Sequence, residues 1–387
     1  MLSRLPVGQG RGSRVRCWLA LASLYYLHHL WLAALSQLYL QHDLIHPMPH
    51  IDTLPAGALD IIGDIHGEYA ALQQLLGHLG YRPDGGHPQG RRLIFVGDLV
   101  DRGNDVPAVL DWFMRAHAAG YAQMVLGNHE INLLLGDAKP GSGWYFAQRA
   151  DKDAADFAPW RHYPAAGKAA LHRFLAAQPL VLERDDLRIV HAAWLPAAIA
   201  RLRAAPDDDL VANHRRWENA LAEEARQQPW YSAWQAEEAC DGDLHDPGHA
   251  PAYRPATAAR DSYYSRGNPV RALTCGSESP AAAPHYAGGR WRFVVRTPWW
   301  QDYRDAPAVV IGHYWRRWRG EHPLFPCPPQ HWFGARHNVF CCDYAVGARW
   351  RDRKAGIAPQ YSAYRLAALR WPEKTLVFDD GETVATL

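Results

Sequence analysis

The chain has 387 residues, 48% of them hydrophobic and 21% charged, with 41 Lys and Arg against 40 Asp and Glu. That mixture can bury a sizeable core and excludes a disordered polymer, and a formal net charge of +1 gives no bulk attraction for nucleic acid or an anionic membrane. Nucleic acid is therefore not an expected partner, and any anionic substrate must be held by local chemistry.

Arg4, Arg11, Arg14 and Arg16 precede a mostly apolar run from Cys17 to Leu40. A basic start followed by apolar residues reads as a signal-anchor or membrane helix, so a membrane role hangs on residues 17–40. Against it, the run carries His28, His29, Ser36 and Gln37, and translation from Met48 is the plainer alternative. Residues 1–50 are read as an extension of either kind, and residues 51–387 as one elaborated domain. Cys17, Cys240, Cys275, Cys327, Cys341 and Cys342 form neither a CxxC pair nor a regular framework. A reducing, cytoplasmic setting is the simpler reading.

Ala58–Ile62 is a short apolar run ending in glycine, the signature of a buried strand. Glu68–Leu79 repeats Leu at helical spacing and stops at Gly80. Arg92–Val96 is a second strand, Val106–Ala119 a second helix closed by Gly120, and Tyr121–Leu126 a third strand. Such alternation predicts a sheet covered by helices, with the polar turns at the strand ends where ligands bind. Pro179–Glu183 and Leu187–Ala192 read as a hairpin through Arg184, Asp185 and Asp186. From about 204 to 290 an insertion is expected, helical and then loop-rich, dense in Trp and Tyr around Trp217, Trp230, Tyr231 and Trp234. Strands resume at Trp291–Arg296, Ala308–Ile311, Asn338–Cys342, Tyr364–Leu369 and Thr375–Phe378.

Three strings at strand ends carry the chemistry. In Gly63-Asp64-Ile65-His66-Gly67, residues two apart on an extended strand end point the same way, so Asp64 and His66 can grip one cation. A carboxylate with an imidazole suits a divalent first-row metal. In Gly97-Asp98-Leu99-Val100-Asp101-Arg102-Gly103, Asp98 sits one strand over, where a carboxylate can bridge two cations. Arg102 offers a planar fork for phosphate oxygens, and Asp101 can orient a histidine. In Gly127-Asn128-His129-Glu130, Asn128 supplies a hard amide oxygen and His129 a general acid. Alone, each string has a plain alternative: a tight turn, a surface ion pair, or an asparagine helix cap. His191 and His313 end two further apolar runs and supply the imidazoles a second metal lacks. No GxSxG elbow and no cysteine in a phosphate-cradling loop offers a protein nucleophile.

The strings GDIHG, GDLVDRG and GNHE, followed by VHAA and GHYW, resemble the calcineurin-like metallophosphoesterases, most of all the serine/threonine phosphoprotein-phosphatase type. The resemblance runs from about Leu59 to near Cys342, interrupted by the Trp-rich insertion. It implies an α/β/β/α sandwich of two mixed sheets between helices. It implies that Asp64 and His66 hold one metal, that Asp98 bridges, and that Asn128, His191 and His313 hold the other. It also implies that His129, paired with Asp101, protonates the leaving group while Arg102 binds phosphate. Two divalent cations, Mn, Fe or Zn with Mn foremost in vitro, would then support hydrolysis by a metal-bound hydroxide. Departures at Ala192, Ala193 and Tyr314, and a second phosphate arginine undecided among Arg271, Arg292 and Arg296, leave the substrate open. A phosphomonoester of a protein or small molecule is expected, because Asp101 is present. A diadenosine-polyphosphate or other nucleotide substrate is the alternative.

Overall fold

A computed structural model describes residues 50–387, except 207–208, 240–242 and 321. The basic start, the apolar run 17–40 and the choice between Met1 and Met48 lie outside the described residues. No helix among the described residues is long and apolar enough to cross a membrane.

In chain order the strands are β1 (Ile51–Thr53), β2 (Leu59–Ile62), β3 (Arg92–Phe95), β4 (Ala122–Met124), β5 (Val181–Glu183), β6 (Leu187–Val190), β7 (Glu278–Ala287) and β8 (Arg290–Arg296). They are followed by β9 (Ala308–Ile311), β10 (Val339–Cys341), β11 (Ala367–Trp371), β12 (Thr375–Phe378) and β13 (Thr383–Ala385). They form a five-stranded sheet, β1-β5-β6-β9-β10, and a six-stranded sheet, β13-β12-β11-β2-β3-β4. Each sheet mixes parallel and antiparallel pairs. β2, β3 and β4 run parallel, as do β6, β9 and β10.

Strand alternation sends every second side chain to one face. Leu59, Ile61, Ile94 and Val96 of one sheet meet Leu187, Ile189, Val310 and Phe340 of the other in a fully buried layer. Ile62, Leu93 and Phe95 belong to a separate apolar cluster with Leu72, Leu75 and Leu76 of helix Tyr69–Leu79 and Val109, Leu110 and Phe113 of helix Val106–Ala118. Burying each such side chain contributes about 1.5–3 kcal/mol, so these two layers fix how the sheets stack. The result is the expected sandwich of helices outside two facing sheets.

Asp60 breaks the apolar pattern of β2 and is fully buried. Its carboxylate accepts from the Tyr81 hydroxyl, from Arg91 through Nε and Nη2, each at 2.8 Å, and from Arg370 Nε at 3.1 Å. The charge is thus matched inside the sheet-helix layer.

Several expected elements shift. Trp291–Arg296 forms a strand, but it pairs with β7 in a separate two-stranded sheet rather than with the core. The partner, ESPAAAPHYA, carries proline and small residues and gave no strand signal. The expected strand Tyr364–Leu369 begins three residues later and ends two later, at Ala367–Trp371, where it pairs antiparallel with β2. Helices Ala147–Phe157 and Lys168–Ala176 were not expected. Within the insertion, helix Leu210–Ala225 carries Trp217, helix Tyr231–Glu238 carries Tyr231 and Trp234 with Trp230 just before it, and helix Pro255–Gly267 carries Tyr263 and Tyr264. Trp230 packs its ring 5.6 Å from Tyr263.

Candidate active site

The ends of β2, β3 and β4 from one sheet and of β6, β9 and β10 from the other meet at one edge of the sandwich. The backbone ties the loops together. Ile65 and His66 donate N–H groups to the Asp98 carbonyl, and Gly312 donates to the His191 carbonyl. Six non-glycine residues here adopt left-handed φ angles: His66 (47°), Asp98 (51°), Asp101 (72°), Arg102 (67°), His313 (72°) and Trp315 (53°). Such conformations cost about 1–3 kcal/mol each and persist only where the surroundings over-determine them. Glycine is required at Gly97, whose φ is 100° and whose Cβ would stand 2.5 Å from the Gly127 nitrogen. At Gly312 a Cβ would stand 2.1 Å from Asp64 Oδ1.

Every residue singled out from the strings and the two later histidines lies at this edge. By distance alone, His66, Asp98 and His129 form one group of donor atoms and Asp98, His191 and His313 another, with the atoms of each within 4.8 Å. Asp98 is common to both. Asp64 Oδ2 lies 4.0 Å from His66 Nε2, and both Asp64 oxygens face the His313 N–H, at 3.2 and 3.1 Å. Asn128 Oδ1 lies 2.9 Å from His313 Nδ1 and 3.3 Å from His191 Nε2.

Hydrogen bonds fix the tautomers. His66 donates Nδ1–H to the Val100 carbonyl at 2.9 Å, which leaves a lone pair on Nε2. His129 donates Nδ1–H to Asp101 Oδ2 at 2.5 Å, with the same consequence. Arg102 caps both lone pairs, 2.7 Å from His66 Nε2 and 2.9 Å from His129 Nε2. Arg296 caps Nε2 of His313 in the same way. His191 donates Nδ1–H to the Val96 carbonyl at 2.7 Å, and its Nε2 stands 3.4 Å from Asp98 Oδ2.

The electrostatics follow from burial. Burial, reinforced by Asp343 and Asp98, holds Asp64 well above the usual carboxylate range. Burial would raise Asp98 too, but the imidazoles of His191 and His129 hold it well below that range. The reciprocal effect lifts His191 to about 10: burial opposes the proton, and Asp98 outweighs it. His66 and His313 are held well below 6.5, first by burial and then by Arg102 and Arg296 respectively. The centre therefore sets buried carboxylates against positive N–H groups converging on imidazole lone pairs. A donor set of carboxylate, amide oxygen and imidazole, crowded by like charges, fits divalent cations. Burial pushes the thiols of Cys275, Cys341 and Cys342 up.

A family model for calcineurin-like phosphoesterases matches residues 58–314. The chain belongs to that family. The calcineurin-like phosphoesterase is 46% identical over 74 residues to the asymmetrical bis(5'-nucleosyl)-tetraphosphatase of Geobacillus thermodenitrificans, a match covering 18% of this chain and 30% of the relative. It is 32% identical over 183 residues to the symmetrical bis(5'-nucleosyl)-tetraphosphatase of Vibrio cholerae, covering 45% of this chain and 58% of that one. Each match spans less than two thirds of the relative's length. Among solved structures, the cold-active protein-tyrosine phosphatase of a psychrophilic Shewanella is 17% identical, with a TM-score of 0.45 over 88% of this chain and 83% of that one. Calcineurin-like metallophosphoesterases bind divalent metals, and the His/Asp cluster of this member is its candidate site.

Four residues of this phosphoesterase were not assigned from sequence. Asp343, 1% exposed, follows β10 and accepts N–H groups from Trp315 at 2.6 Å and Ala345 at 2.8 Å. Its signal was available, because it ends an apolar run just as Asp64 and Asp98 do. Glu130 is fully buried and gathers the N–H groups of Asp98, Leu99, Val100 and Gly127, which locks the second string to the third. Burial and Asp98 raise it to about 7. Trp144 donates its indole N–H to Asp101 Oδ1 at 2.7 Å and had no local signal. Trp315 completes the wall beside Arg102. Of the three arginines left open, Arg296 is the one placed at an imidazole of the centre.

Proposed function

We propose that this calcineurin-like phosphoesterase hydrolyses a phosphomonoester, phosphoserine or phosphothreonine among the candidates, with two divalent cations held by Asp64, His66, Asp98, Asn128, His191 and His313. Bound cations of this kind neutralise phosphoryl charge and acidify a water molecule. Manganese is the metal of choice for a first assay. Residues 51–387 act as one catalytic domain, elaborated by the 204–290 segment, in a cytoplasmic setting.

The protein's own groups have distinct tasks. Arg102 and Arg296, whose N–H groups already reach into the centre, bind phosphoryl oxygens. His129, once Nε2 takes up a second proton in place of its Arg102 contact, passes that proton to the leaving oxygen, and Asp101 fixes the ring through Nδ1. Glu130 keeps the loop 97–103 in register with the helix that presents His129.

The observation that carries the monoester reading is the buried chain from Trp144 through Asp101 to His129. An alkoxide leaving from phosphoserine needs a proton, whereas a nucleotide leaving from a polyphosphate does not. A dedicated, doubly anchored acid fits the former. The bis(5'-nucleosyl)-tetraphosphatase names of the matched relatives favour a second reading, a dinucleoside polyphosphate.

The test is hydrolysis of p-nitrophenyl phosphate, a phosphothreonine peptide and diadenosine tetraphosphate with added manganese, with Asp98→Asn as control. Monoester turnover lost in the control supports the proposal. Preference for the tetraphosphate moves the assignment to the second reading. No turnover on any of them removes the hydrolytic assignment.

A further inference from the structure

Arg102 is held in an unusual way. Its backbone is left-handed, its N–H is bonded to the Gly141 carbonyl at 2.9 Å, and its guanidinium reaches His66 and His129. Among the described residues no carboxylate lies in ion-pair contact with it. What covers its plane is Trp315, with the guanidinium carbon 4.5 Å from the ring centroid.

Trp315 is itself deliberately placed. Its φ of 53° is one that a bulky residue rarely adopts, and its N–H is pinned to Asp343 Oδ2 at 2.6 Å. Asp343 follows β10 and His313 follows β9, so the indole is referenced to the frame that carries the metal-site residues. The ring is half-buried, and Arg351 lies 6.0 Å from it.

We propose that Trp315 is a positioning residue for Arg102. Its aromatic face holds the guanidinium in the plane from which its edge N–H groups, now 2.7 and 2.9 Å from the imidazoles of His66 and His129, would reach a phosphoryl oxygen. An aromatic face binds a guanidinium through its plane and leaves the in-plane donors free. A carboxylate partner would instead consume those donors and compete with phosphate. The ligand class this arrangement selects is a phosphoryl dianion, bound in the same way whatever group it is esterified to. The inference rests on the phosphoryl-binding role given to Arg102 above.

The test measures inorganic phosphate binding to the manganese-loaded protein by calorimetry, alongside KM and kcat for p-nitrophenyl phosphate and glycerol phosphate. Trp315→Leu keeps apolar bulk without a π face, and Trp315→Phe restores a smaller one. Trp315→Leu is expected to weaken phosphate binding and raise KM for both esters by about 2- to 30-fold, with kcat changed by less than about twofold. Trp315→Phe should recover most of the loss. In an Arg102→Ala background Trp315→Leu should add nothing. An unchanged phosphate affinity in Trp315→Leu overturns the proposal, as does an equal loss with and without Arg102. A loss confined to the aromatic ester overturns it in favour of stacking on the leaving group. If the wild type binds phosphate but hydrolyses neither ester, the hydrolytic reading fails while the binding comparison still decides the role of Trp315.

Discussion

Asp101→Asn separates positioning of an acid from general damage to the site. Asp101 has both oxygens committed, Oδ2 to His129 Nδ1–H at 2.5 Å and Oδ1 to the Trp144 indole N–H at 2.7 Å. An indole N–H can only donate. In the variant the amide oxygen must therefore stay towards Trp144, which turns the amide NH2 towards His129. Nδ1 then faces a donor, its proton shifts to Nε2, and the ring loses the anion that supports a second proton.

A hydrogen bond to a charged group contributes about 1.5–3 kcal/mol. Lost in the transition state, that corresponds to about 10- to 150-fold in rate. The penalty applies only where the leaving oxygen needs a proton. The assay is kcat/KM on a phosphoserine peptide and on p-nitrophenyl phosphate, whose phenolate departs unaided. The expected result is the full loss on the peptide and less than about threefold on the phenyl ester. Adding Trp144→Phe frees the amide to turn its oxygen to His129, so the double variant should outperform Asp101→Asn on the peptide. Equal losses on both substrates, or a double variant no better than the single one, would refute the reasoning.

Three further outcomes follow from buried groups. Asp60→Asn removes the carboxylate shared by Arg91 and Arg370 inside the sheet-helix layer, leaving Arg91 its partner Glu373, and should lower stability by about 1–3 kcal/mol, read from the urea midpoint; a loss under about 0.5 kcal/mol would contradict it. Glu130→Gln replaces an acceptor of four N–H groups by one that cannot satisfy them all. A loss of about 2–4 kcal/mol and faster hydrogen exchange in residues 97–103 are expected, and unchanged exchange would count against the locking role. His117 packs on Phe113 and donates Nδ1–H to Ala122 at 3.1 Å, and burial holds its pKa below 6.5. The unfolded chain therefore takes up this proton first, so stability falls as pH drops below about 6.5. His117→Gln should flatten that fall below about pH 6.5, and an unaltered slope would exclude His117 as a contributor.

The first half of the catalytic sheet was legible because the chain builds it by repetition. β2, β3 and β4 are consecutive parallel strands, each apolar and each ending in a glycine-flanked polar turn, so local pattern and topology coincide. The later elements were less legible for an identifiable reason. β11 joins β2 across about 300 residues, and its boundary is set by the antiparallel register Ala368↔Ile62 rather than by its own pattern. β7 is a strand because β8 pairs with it, and its prolines and alanines say nothing of the kind.

The site divides along the same line. Asp64, His66, Asp98, Asn128 and His129 were found because each lies inside a string whose glycines announce a tight turn. Those glycines have a structural counterpart: Gly97 permits contact with Gly127, while the neighbouring Asp98 is itself forced to a φ of 51°. The strain is shared by consecutive residues, and so it leaves a trace in the sequence. Arg296, Trp315 and Asp343 are brought in by other elements, from β8 and from the ends of β9 and β10. What selects them is a partner far along the chain: His313 for Arg296, Arg102 for Trp315, and the Trp315 N–H for Asp343. Trp315 has the same left-handed strain as Asp98 but no glycine beside it. Its conformation is held by Asp343 instead, and that dependence can be read only once the two strand ends are in place.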